Sequence, residues 1–487
     1  MEGGVRSFGD SALLGAALRL RSGILPSMNT SNDKTVTIVG AGLAGSEAAL
    51  QLADLGFSVR LFEMRPQVGT AVHKTSNAAE LVCSNSLKST KPESAAGMLK
   101  SELAELGSRL YAAACKHSVP AGGALAVDRD AFAADITARL ESHPNIAFER
   151  RQVTSLEEAA SGCDALLLAS GPLTSDALAA DLACATGAEQ LAFYDAAAPI
   201  VMADSLDMGK LFRQSRYEDS GLGDYLNAPF TREEYEAFAA ELVAAERVIM
   251  RDFETRDLFQ ACQPIEEIAR KGIDAPRFGT LKPVGLSDPR TGRRPWAALQ
   301  LRAEDAHCSC YNLVGFQTNL TFSEQKRVFR MIPGLEQAEF ARFGVMHRNT
   351  FLNAPALLDE GLRLRLQAPL SVPVYVAGQL AGTEGYCEAI RSGLHAALSV
   401  AGDLRGVSVA HLPRECAFGA LMSYATSPNT VDYQPMHVNF GIMEPLPVRI
   451  KNKGERYAAY AKRGQEALFA YAEELRAAGL LAQETAQ

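Results

Sequence analysis

Cys83 is the first residue of this chain whose surroundings suit covalent chemistry. It stands in the string VCSNSLK, so Asn85 and Lys88 follow it closely as a polar and a cationic neighbour. A nearby cation favours the thiolate, which is the nucleophilic form of cysteine. The alternative is a buried structural cysteine, the commoner role of a lone thiol. The string therefore predicts a candidate nucleophile with Asn85 and Lys88 as candidate substrate-binding groups.

A second candidate nucleophile is Cys262, in the string ACQPIEE. Pro264 indicates that a helix starts just after it, and a helix N-terminus also favours a thiolate. Burial as a structural cysteine is again the alternative. Because the chain contains no CxxC pair, the two thiols do not resemble a redox disulfide motif.

Three consecutive polar residues, His347, Arg348 and Asn349, form a third candidate group. An imidazole can stack on a planar ring, and a guanidinium can hold a carboxylate. We expect this cluster to bind a substrate, with a hydrogen-bonded loop as the alternative. Cys308 and Cys310 are expected to lie in one alternating strand and to serve only in packing.

The elements that must position these groups begin at Thr35–Val39, an apolar run that predicts a buried parallel strand. The G-x-G-x-x-G motif follows, formed by Gly40, Ala41, Gly42, Leu43, Ala44 and Gly45. Such glycines allow a tight turn and bring a pyrophosphate close to a helix N-terminus. A second β-type run ends in Glu63, where a carboxylate can accept from ribose hydroxyls. This arrangement predicts a dinucleotide site.

A second strand–glycine–helix junction occurs far along the chain. Val372–Ala377 predicts a short strand and Ala389–Val400 predicts a helix. The string between them contains Gly378, Gly382, Glu384 and Gly385. A nicotinamide dehydrogenase needs one such junction, whereas flavoproteins that bind extended FAD commonly use two. The pair of junctions therefore favours FAD.

The predicted fold class is α/β, with a Rossmann-like FAD-binding domain interrupted by an inserted α+β domain. The first part of the FAD-binding domain is expected over 34–198 and the second over 345–487, where βαβ rhythm is present; 199–344 lacks it. Residues 1–33 are expected to be an N-terminal extension, either disordered or the result of a start codon placed too early, with Met28 as the real start; a transit peptide is the alternative. Single helices are expected over Ala95–Cys115 and Phe230–Met250.

The composition limits the partners of this 487-residue chain, which carries a net charge of −9. No apolar run is long enough to span a bilayer, so no membrane partner is expected. The nine cysteines are scattered without metal-ligand spacing, which predicts no metal site and a reducing, cytoplasmic location.

An acidic protein that binds RNA needs a local basic patch. One candidate lies near the C-terminus, where aromatic residues are interleaved with basic ones: Arg449, Lys451, Lys453, Arg456, Tyr457, Tyr460, Lys462 and Arg463. An ordinary solvated helix face is the alternative. We expect a helical RNA-contact segment only if other features indicate an RNA substrate.

Several unusual strings in a fixed order resemble one family. They span about Thr35 to Tyr460 and include VGAGLAGSEAA, LFEMRP, AELVCSNSLKS, VPAGGALAVDRD, ACQPIEEIARKG, LKPVGLSDPRTG, GVMHRNTFLNAP and GTEGYCEA. By these strings the chain resembles the bacterial folate- and FAD-dependent tRNA (uracil-5-)-methyltransferases, relatives of the GidA flavoproteins. The resemblance implies an FAD-binding domain of the GidA and glutathione-reductase type.

The resemblance also implies roles for residues and cosubstrates. Cys83 and Cys262 match the two catalytic cysteines, and FAD is expected at the two glycine junctions together with Glu63 and Arg65. Methylenetetrahydrofolate would donate the carbon, NADH or NADPH would reduce the flavin, and a T-loop uridine of tRNA would be methylated at carbon 5. By analogy, Cys262 would add to carbon 6 of uracil and Cys83 would hold or protect the methylene unit.

Three alternatives stay open from the sequence. The first is methylation of ribosomal RNA by the same chemistry. The second is a generic FAD oxidoreductase, which would be expected to carry a CxxC beside the flavin. The third is a non-catalytic RNA-binding flavoprotein. The preferred nicotinamide, the oligomeric state and the general base for the carbon-5 proton are not predicted.

Overall fold

The structure is a computed structural model that describes residues 33–70, 72–187, 191–196, 198–217, 223–248, 263–305, 307–344, 346–368, 370–430 and 433–481. For 191–196 and 346–349 it describes the backbone. The strands in chain order are β1 Thr35–Val39, β2 Ser58–Glu63, β3 Ser86–Ser89, β4 Ser118–Val119, β5 Ala124–Val127, β6 Ile146–Arg150, β7 Ala165–Leu168, β8 Leu191–Ala196, β9 Ile200–Met202, β10 Phe212–Arg213, β11 Tyr225–Phe230, β12 Ala297–Ala303, β13 Cys310–Leu313, β14 Phe340–Arg342, β15 Met346–Phe351 and β16 Val374–Val376.

The helices connect and cover these strands. In chain order the α-helices are α1 Leu43–Asp54, α2 Ala95–Glu105, α3 Arg109–Lys116, α4 Arg129–Ser142, α5 Leu156–Ala160, α6 Asp176–Thr186, α7 Arg232–Ala244, α8 Ile265–Lys271, α9 Ala275–Phe278, α10 Phe322–Phe329, α11 Ala354–Leu357, α12 Tyr386–Arg405, α13 Ala417–Ala425 and α14 Lys453–Ala477. Two short 3-10 helices lie at Ala203–Ser205 and Gly378–Ala381.

A five-stranded parallel sheet in the order β16-β7-β1-β2-β6 carries the nucleotide-binding elements. Its central strands β1 and β7 are mainly apolar, and Val36, Ile38, Leu166 and Leu167 are fully buried. Strands buried on both faces require such continuous apolar runs. Because all five strands are parallel, their carboxyl ends meet at one edge, where this class of sheet binds its ligands.

A six-stranded antiparallel sheet has the order β10-β11-β12-β13-β9-β14. Its strands lie between β8 and β15 in the chain, from Ile200 to Arg342, and this stretch is called the inserted part below. Its apolar core is separate and includes Val201, Phe238, Leu299, Phe316 and Phe329. Strands β8 and β15 pair antiparallel. Because β8 precedes β9 and β15 follows β14, this two-stranded ribbon is where the chain leaves the parallel sheet and returns to it.

Three sequence expectations differ from the structure. The helix expected over Ala95–Cys115 is two helices, because Gly107 takes a φ of +67° and Ser108 caps a new helix. The helix expected over Phe230–Met250 runs from Arg232 to Ala244 and begins with a Thr231–Glu234 capping box.

The third difference concerns the CxC motif. Cys308 has a φ of +54° and precedes β13, whose first residue is Cys310, so the two cysteines do not share a face of one strand. Within the described ranges no helix combines the length and apolar character that crossing a membrane requires. The same ranges contain no cluster of three His, Cys, Asp or Glu residues able to ligate a metal.

Candidate functional site

The first glycine junction has the geometry that a pyrophosphate needs. Gly40 has a φ of +102°, and a Cβ there would lie 2.5 Å from the Ala169 carbonyl oxygen. A Cβ on Gly45 would lie 1.9 Å from the Gly40 oxygen, so only glycine allows this turn to pack. Gly42, the N-cap of α1, instead has open space where its Cβ would be. The N–H groups of Leu43 and Ala44 follow at this uncapped helix N-terminus, which suits a phosphate.

The second junction lies directly beside the first. Gly378 has a φ of +77°, and its N–H donates to Ser392 Oγ at 2.7 Å. Gly385, with a φ of +115°, is the N-cap of α12 and contributes no side-chain cap. Gly393 lets α12 cross α1, because a Cβ there would lie 2.2 Å from the Ala44 carbonyl oxygen. This close approach brings two helix N-termini to one edge of the sheet.

Two other residues of the second junction are used in shaping the loop. Gly382 has a φ of +82°, and a Cβ there would overlap the hydroxyl of Tyr433. The Glu384 carboxylate accepts from the Gln379 amide, and the Glu384 N–H donates to the Met436 carbonyl at 3.0 Å. These contacts hold the loop between β16 and α12 in one conformation.

Glu63 lies at the end of β2, where a ribose-binding carboxylate is expected. Its Oε2 accepts the N–H of Ala41 at 3.1 Å, and its Oε1 accepts from Arg65 Nε at 2.9 Å. Burial raises the pKa of Glu63, but the hydrogen bonds and charge of Arg65 outweigh burial and hold it below the ordinary value. Arg65 also pairs with Glu80 at 3.0 Å. Glu63 is therefore an anion held next to the glycine loop.

A cleft opens at this edge of the sheet. Its lining includes Gly40, Phe62, Glu63, Ser170 and Thr174, which follow or end three neighbouring parallel strands. An adenosine half would find a carboxylate and a glycine loop here, and its pyrophosphate would reach the two helix N-termini. The residues present therefore fit FAD.

Cys83 is anchored to the second junction. The hydroxyl of Tyr386, the first residue of α12, accepts the N–H of Cys83 at 2.9 Å and the N–H of Ser84 at 3.1 Å. Burial raises the pKa of Tyr386, so this hydroxyl stays protonated at neutral pH. The Cys83 thiol is half-buried. A half-buried thiol thus stands at the helix N-terminus expected to face the flavin.

Sequence reasoning missed two arginines beside Cys83. The Arg342 guanidinium, at the end of β14, is close enough to interact electrostatically with Cys83 and with the hydroxyl of Tyr386. Arg129 donates to the Leu81 carbonyl at 3.1 Å and to the Glu304 carboxylate at 3.1 Å. Arg342 lies in none of the strings quoted above, and Arg129 lies in VPAGGALAVDRD without an assigned role, so packing reveals that both stand near Cys83.

Asn85 and Lys88 occupy different environments. Asn85 is 0% exposed; its amide donates to Val127 O at 3.1 Å and Ala303 O at 2.9 Å, and its Oδ1 accepts from Arg302 Nε at 2.7 Å. It therefore joins the FAD-binding part to the inserted sheet. Lys88 pairs with the buried Glu388 of α12 at 3.2 Å and keeps 43% of its side chain exposed. Lys88 thus lies at the second junction with room to contact a ligand.

The polar cluster at His347, Arg348 and Asn349 lies on β15. Its backbone pairs with β8, so that His347 faces Asp195 and Asn349 faces Phe193 across the ribbon. The ribbon reaches the nucleotide-binding edge, since the N–H of Leu352 donates to the Leu380 carbonyl at 2.9 Å. The backbone thus places the cluster beside the second junction.

Cys262 lies outside the described residues, but the chain on either side of its segment is anchored. The N–H of Val248 donates to the Asn319 carbonyl at 2.8 Å, and the N–H of Ile265 donates to the Gln317 carbonyl at 2.8 Å. Glu266, 0% exposed, accepts the N–H of Asn319 at 2.6 Å. Both anchors therefore use one strip, 317–321, of the inserted part.

The C-terminal basic segment is partly packed. The ring of Tyr457 stacks on Phe440 at 4.0 Å, and Tyr460 is buried against the same ring at 5.4 Å. Arg463 donates to the Glu444 carbonyl at 2.7 Å. The side chains that reach solvent are Arg449, Lys451, Lys453 and Lys462. The tyrosines therefore hold α14 in place, and the lysines supply the exposed charge.

The parallel sheet, its two glycine junctions and the cleft define a protein of the class that binds FAD in an extended form. The family model described as Glucose inhibited division protein A matches residues 35–408. The Methylenetetrahydrofolate--tRNA-(uracil-5-)-methyltransferase TrmFO of Bacillus pumilus (strain SAFR-032) is 50% identical over 433 residues, covering 89% of this chain and 98% of that protein. The chain belongs to the TrmFO family, so the family predicted from the motifs is confirmed.

Two further comparisons agree. The TrmFO of Symbiobacterium thermophilum is 52% identical over 440 residues, covering 90% of this chain and 97% of that protein. The structure of Aquifex aeolicus GidA in its form II crystal is 15% identical with a TM-score of 0.66, covering 93% of this chain and 75% of that one. This likeness shows the fold, and the predicted fold class is confirmed.

Proposed function

We propose that this protein methylates carbon 5 of a uridine in tRNA, using methylenetetrahydrofolate as carbon donor and FAD as cofactor. Its relatives carry the name of that folate-dependent tRNA methyltransferase. We further propose that the target is a T-loop uridine and that NADH or NADPH supplies the electrons. The overall change balances when one carbon comes from the folate and two electrons come from the nicotinamide.

One observation carries the proposal: the Cys83 backbone is hydrogen-bonded to Tyr386 at the start of α12. A thiol at this point can meet the flavin end of a cofactor whose pyrophosphate lies on the first junction. The generic oxidoreductase alternative, by contrast, expects a CxxC pair, which the sequence lacks.

FAD, when bound, supplies the redox chemistry that converts a transferred methylene group into a methyl group. The residues that would hold it are Gly40, Ala41, Gly42, Leu43, Ala44, Gly45, Glu63, Arg65, Gly378, Gly382, Glu384 and Gly385. The glycines bring backbone N–H groups to the phosphates, and Glu63 accepts from ribose. Arg65 sets the charge and orientation of Glu63 through the 2.9 Å contact.

Cys262 is proposed as the nucleophile toward uracil. Its sulfur forms a bond to carbon 6, and the electron pair displaced from the carbon 5–carbon 6 double bond makes carbon 5 nucleophilic. Carbon 5 then bonds to the methylene unit and loses its proton, and the bond between that unit and its carrier breaks to leave an exocyclic methylene. A hydride whose electrons come from the nicotinamide adds to this methylene, and the sulfur leaves as the carbon 5–carbon 6 double bond reforms. Cys83 is proposed to hold or protect the methylene unit before this transfer.

The remaining candidate groups are proposed to bind substrates. His347 would stack on the planar pterin or flavin ring, and Arg348 and Asn349 would hold polar groups of the substrates. Lys88 would contribute its exposed ammonium group at the second junction. The exposed lysines of the C-terminal segment, Lys451, Lys453 and Lys462, would contact tRNA phosphates.

A methylation assay tests this function. Unmodified tRNA transcript is incubated with protein, methylenetetrahydrofolate and NADH or NADPH, and nucleosides are analysed by mass spectrometry. We expect folate-dependent 5-methyluridine, lost in Cys83→Ala and in Cys262→Ala. The exposed Cys184 offers a matched control, and Cys184→Ala should keep wild-type turnover. Product from a ribosomal RNA fragment but not from tRNA would contradict the proposed substrate.

A further inference from the structure

Three phenylalanine rings form a stacked ladder on the inserted part of the chain. The rings of Phe322 and Phe343 lie 4.8 Å apart with an interplanar angle of 18°, and Phe343 and Phe340 lie 5.0 Å apart at 15°. Phe340 packs against the inserted core, whereas Phe322 is 53% exposed. The ladder therefore has an anchored inner end and an outer ring open to solvent.

The ladder is held rigid by a buried amide clamp. The Gln325 side chain is 0% exposed; its Nε2 donates to Gly344 O at 2.8 Å, and its Oε1 accepts the Gly344 N–H at 2.8 Å. Since Gln325 belongs to the same helix as Phe322 and Gly344 follows Phe343, the clamp sets the two rings against each other. A preorganised ring loses little entropy when a ligand stacks on it.

The ladder residues are sequence neighbours of groups linked to both candidate catalytic cysteines. Phe343 directly follows Arg342, whose guanidinium interacts with Cys83. Phe322 directly follows the strip 317–321, on which the residues flanking the Cys262 segment are hydrogen-bonded. The ladder is therefore adjacent in sequence to Arg342, which interacts electrostatically with Cys83, and to the strip that holds the chain on either side of the Cys262 segment.

The charge beside the ring suits a nucleic acid. Lys326 lies one helical turn beyond Phe322, on the same face of α10, and is exposed. Among the residues described it makes no ion pair, whereas the neighbouring Arg327 is paired with Glu324 and Glu241. An aromatic face next to an unneutralised cation is the combination that binds a base and its phosphate.

We propose that the open face of Phe322 stacks a nucleobase of the RNA substrate adjacent to the target uridine, with Lys326 beside its phosphate. The inference rests on the proposed function. An enzyme that reacts with a base must take that base out of the stack, which leaves a neighbouring base without its stacking partner. A rigid ring near the reaction site replaces that lost contact.

The test compares Phe322→Leu, which keeps an apolar side chain without a ring, with Phe322→Trp, which keeps a ring. Phe278→Leu is the control, because Phe278 is 75% exposed in the same part of the chain and belongs to no ladder. Binding of unmodified tRNA transcript is measured at constant salt. We expect Phe322→Leu to weaken binding about 5- to 100-fold and the other two variants to bind like wild type. The chain has one tryptophan, so fluorescence beyond that of wild type in Phe322→Trp comes from the new ring. We expect the transcript to quench this added fluorescence when a base stacks on the ring.

Methylation by wild-type protein, followed in parallel, separates this inference from the proposed function. If wild type methylates the transcript and Phe322→Leu binds it with wild-type affinity, the proposed stacking on Phe322 is wrong and the proposed function stands. If wild type gives no product but Phe322→Leu still loses affinity, the proposed function fails and the proposed stacking stands. If Phe322→Leu changes the oligomeric state and leaves RNA binding unchanged, Phe322 contacts a second copy of the chain and not RNA.

Discussion

The segments that carry the two candidate catalytic cysteines are held in different ways. The Cys83 segment is fixed by hydrogen bonds from its backbone to the Tyr386 hydroxyl and by the Asn85 amide, which bonds to two strands and to Arg302, and none of these acceptors is a carboxylate. The chain just after the Cys262 segment is fixed through a buried carboxylate, since Glu266 accepts the N–H of Asn319 and the hydroxyl of Thr318.

This difference suggests a division between the two sites. The first thiol takes its position from the helix that is expected to face the cofactor, so it should be placed whenever that helix is formed. The chain that follows the Cys262 segment is held to the strip 317–321 through Glu266, a group that can ionise. Stability should therefore depend on pH through Glu266 and not through Asn85 or Tyr386. Three predictions test this difference.

The largest effect is expected for Asn85→Ala. The change removes two donated hydrogen bonds and the acceptor of Arg302, a buried arginine, so the free energy of unfolding should fall by roughly 2–4 kcal/mol. The turnover number should also fall, because the link between the Cys83 segment and the inserted sheet is lost. Urea unfolding and single-turnover methylation measure the two effects.

Asn227→Ala is the matched control for Asn85→Ala. Asn227 is also fully buried, and its amide donates to Phe212 O at 3.2 Å and Gln214 O at 2.9 Å, all inside the inserted part. It should lose comparable stability and keep its turnover per folded molecule. Equal losses of turnover in both variants would show that Asn85 has no special role in placing Cys83.

The second prediction concerns Glu266 and the pH dependence of stability. Burial raises the pKa of Glu266 from 4.5 to about 7, against the opposing effect of its hydrogen bonds. Glu266 in the folded protein therefore keeps a proton that it loses in the unfolded chain, so its contribution to stability falls as pH rises from 4.5 to about 7 and is level above that. In Glu266→Gln this loss, up to about 3 kcal/mol, should be absent.

Chemical denaturation at a series of pH values measures this difference. Glu267→Gln is the control, because Glu267 is the next residue but lies in an ion pair with Arg247 at 2.6 Å. It should keep the decline between pH 4.5 and 7 that wild type shows. If Glu266→Gln declines as steeply as wild type, Glu266 does not ionise in this range and the contrast between the two anchors is lost.

The smallest effect is expected for Tyr386→Phe. The change removes the acceptor of the Cys83 and Ser84 N–H groups but keeps the ring, so methylation should slow about tenfold, or about 1.4 kcal/mol. FAD content should stay the same, because the glycine junctions are untouched. Tyr375→Phe, which removes a hydroxyl bonded to Asp403 elsewhere on the sheet, should turn over like wild type. Unchanged turnover in Tyr386→Phe would show that the Tyr386 hydroxyl is not needed to position Cys83.

The nucleotide-binding edge was largely predictable from sequence. The strand Thr35–Val39, the glycines after it and Glu63 at the end of the next strand lie as their pattern indicates. Helix ends were less predictable: α12 begins at Tyr386, three residues before the predicted start. Its first turn is therefore the one that holds Cys83, and apolar periodicity carries no signal for that contact.

The sequence alone identified those site residues at which only one residue type fits the structure. Gly40 has a φ of +102°, and a Cβ on Gly45 would lie 1.9 Å from the Gly40 oxygen, so a side chain is excluded at both positions. The spacing of these glycines therefore predicts the turn without a structure. Tertiary structure decided which groups lie close together: the Cys83 N–H bonds to Tyr386, 303 residues away, and Arg342 of a different sheet interacts electrostatically with Cys83. Such contacts depend on how helices and sheets pack together, and local sequence patterns report only the elements themselves.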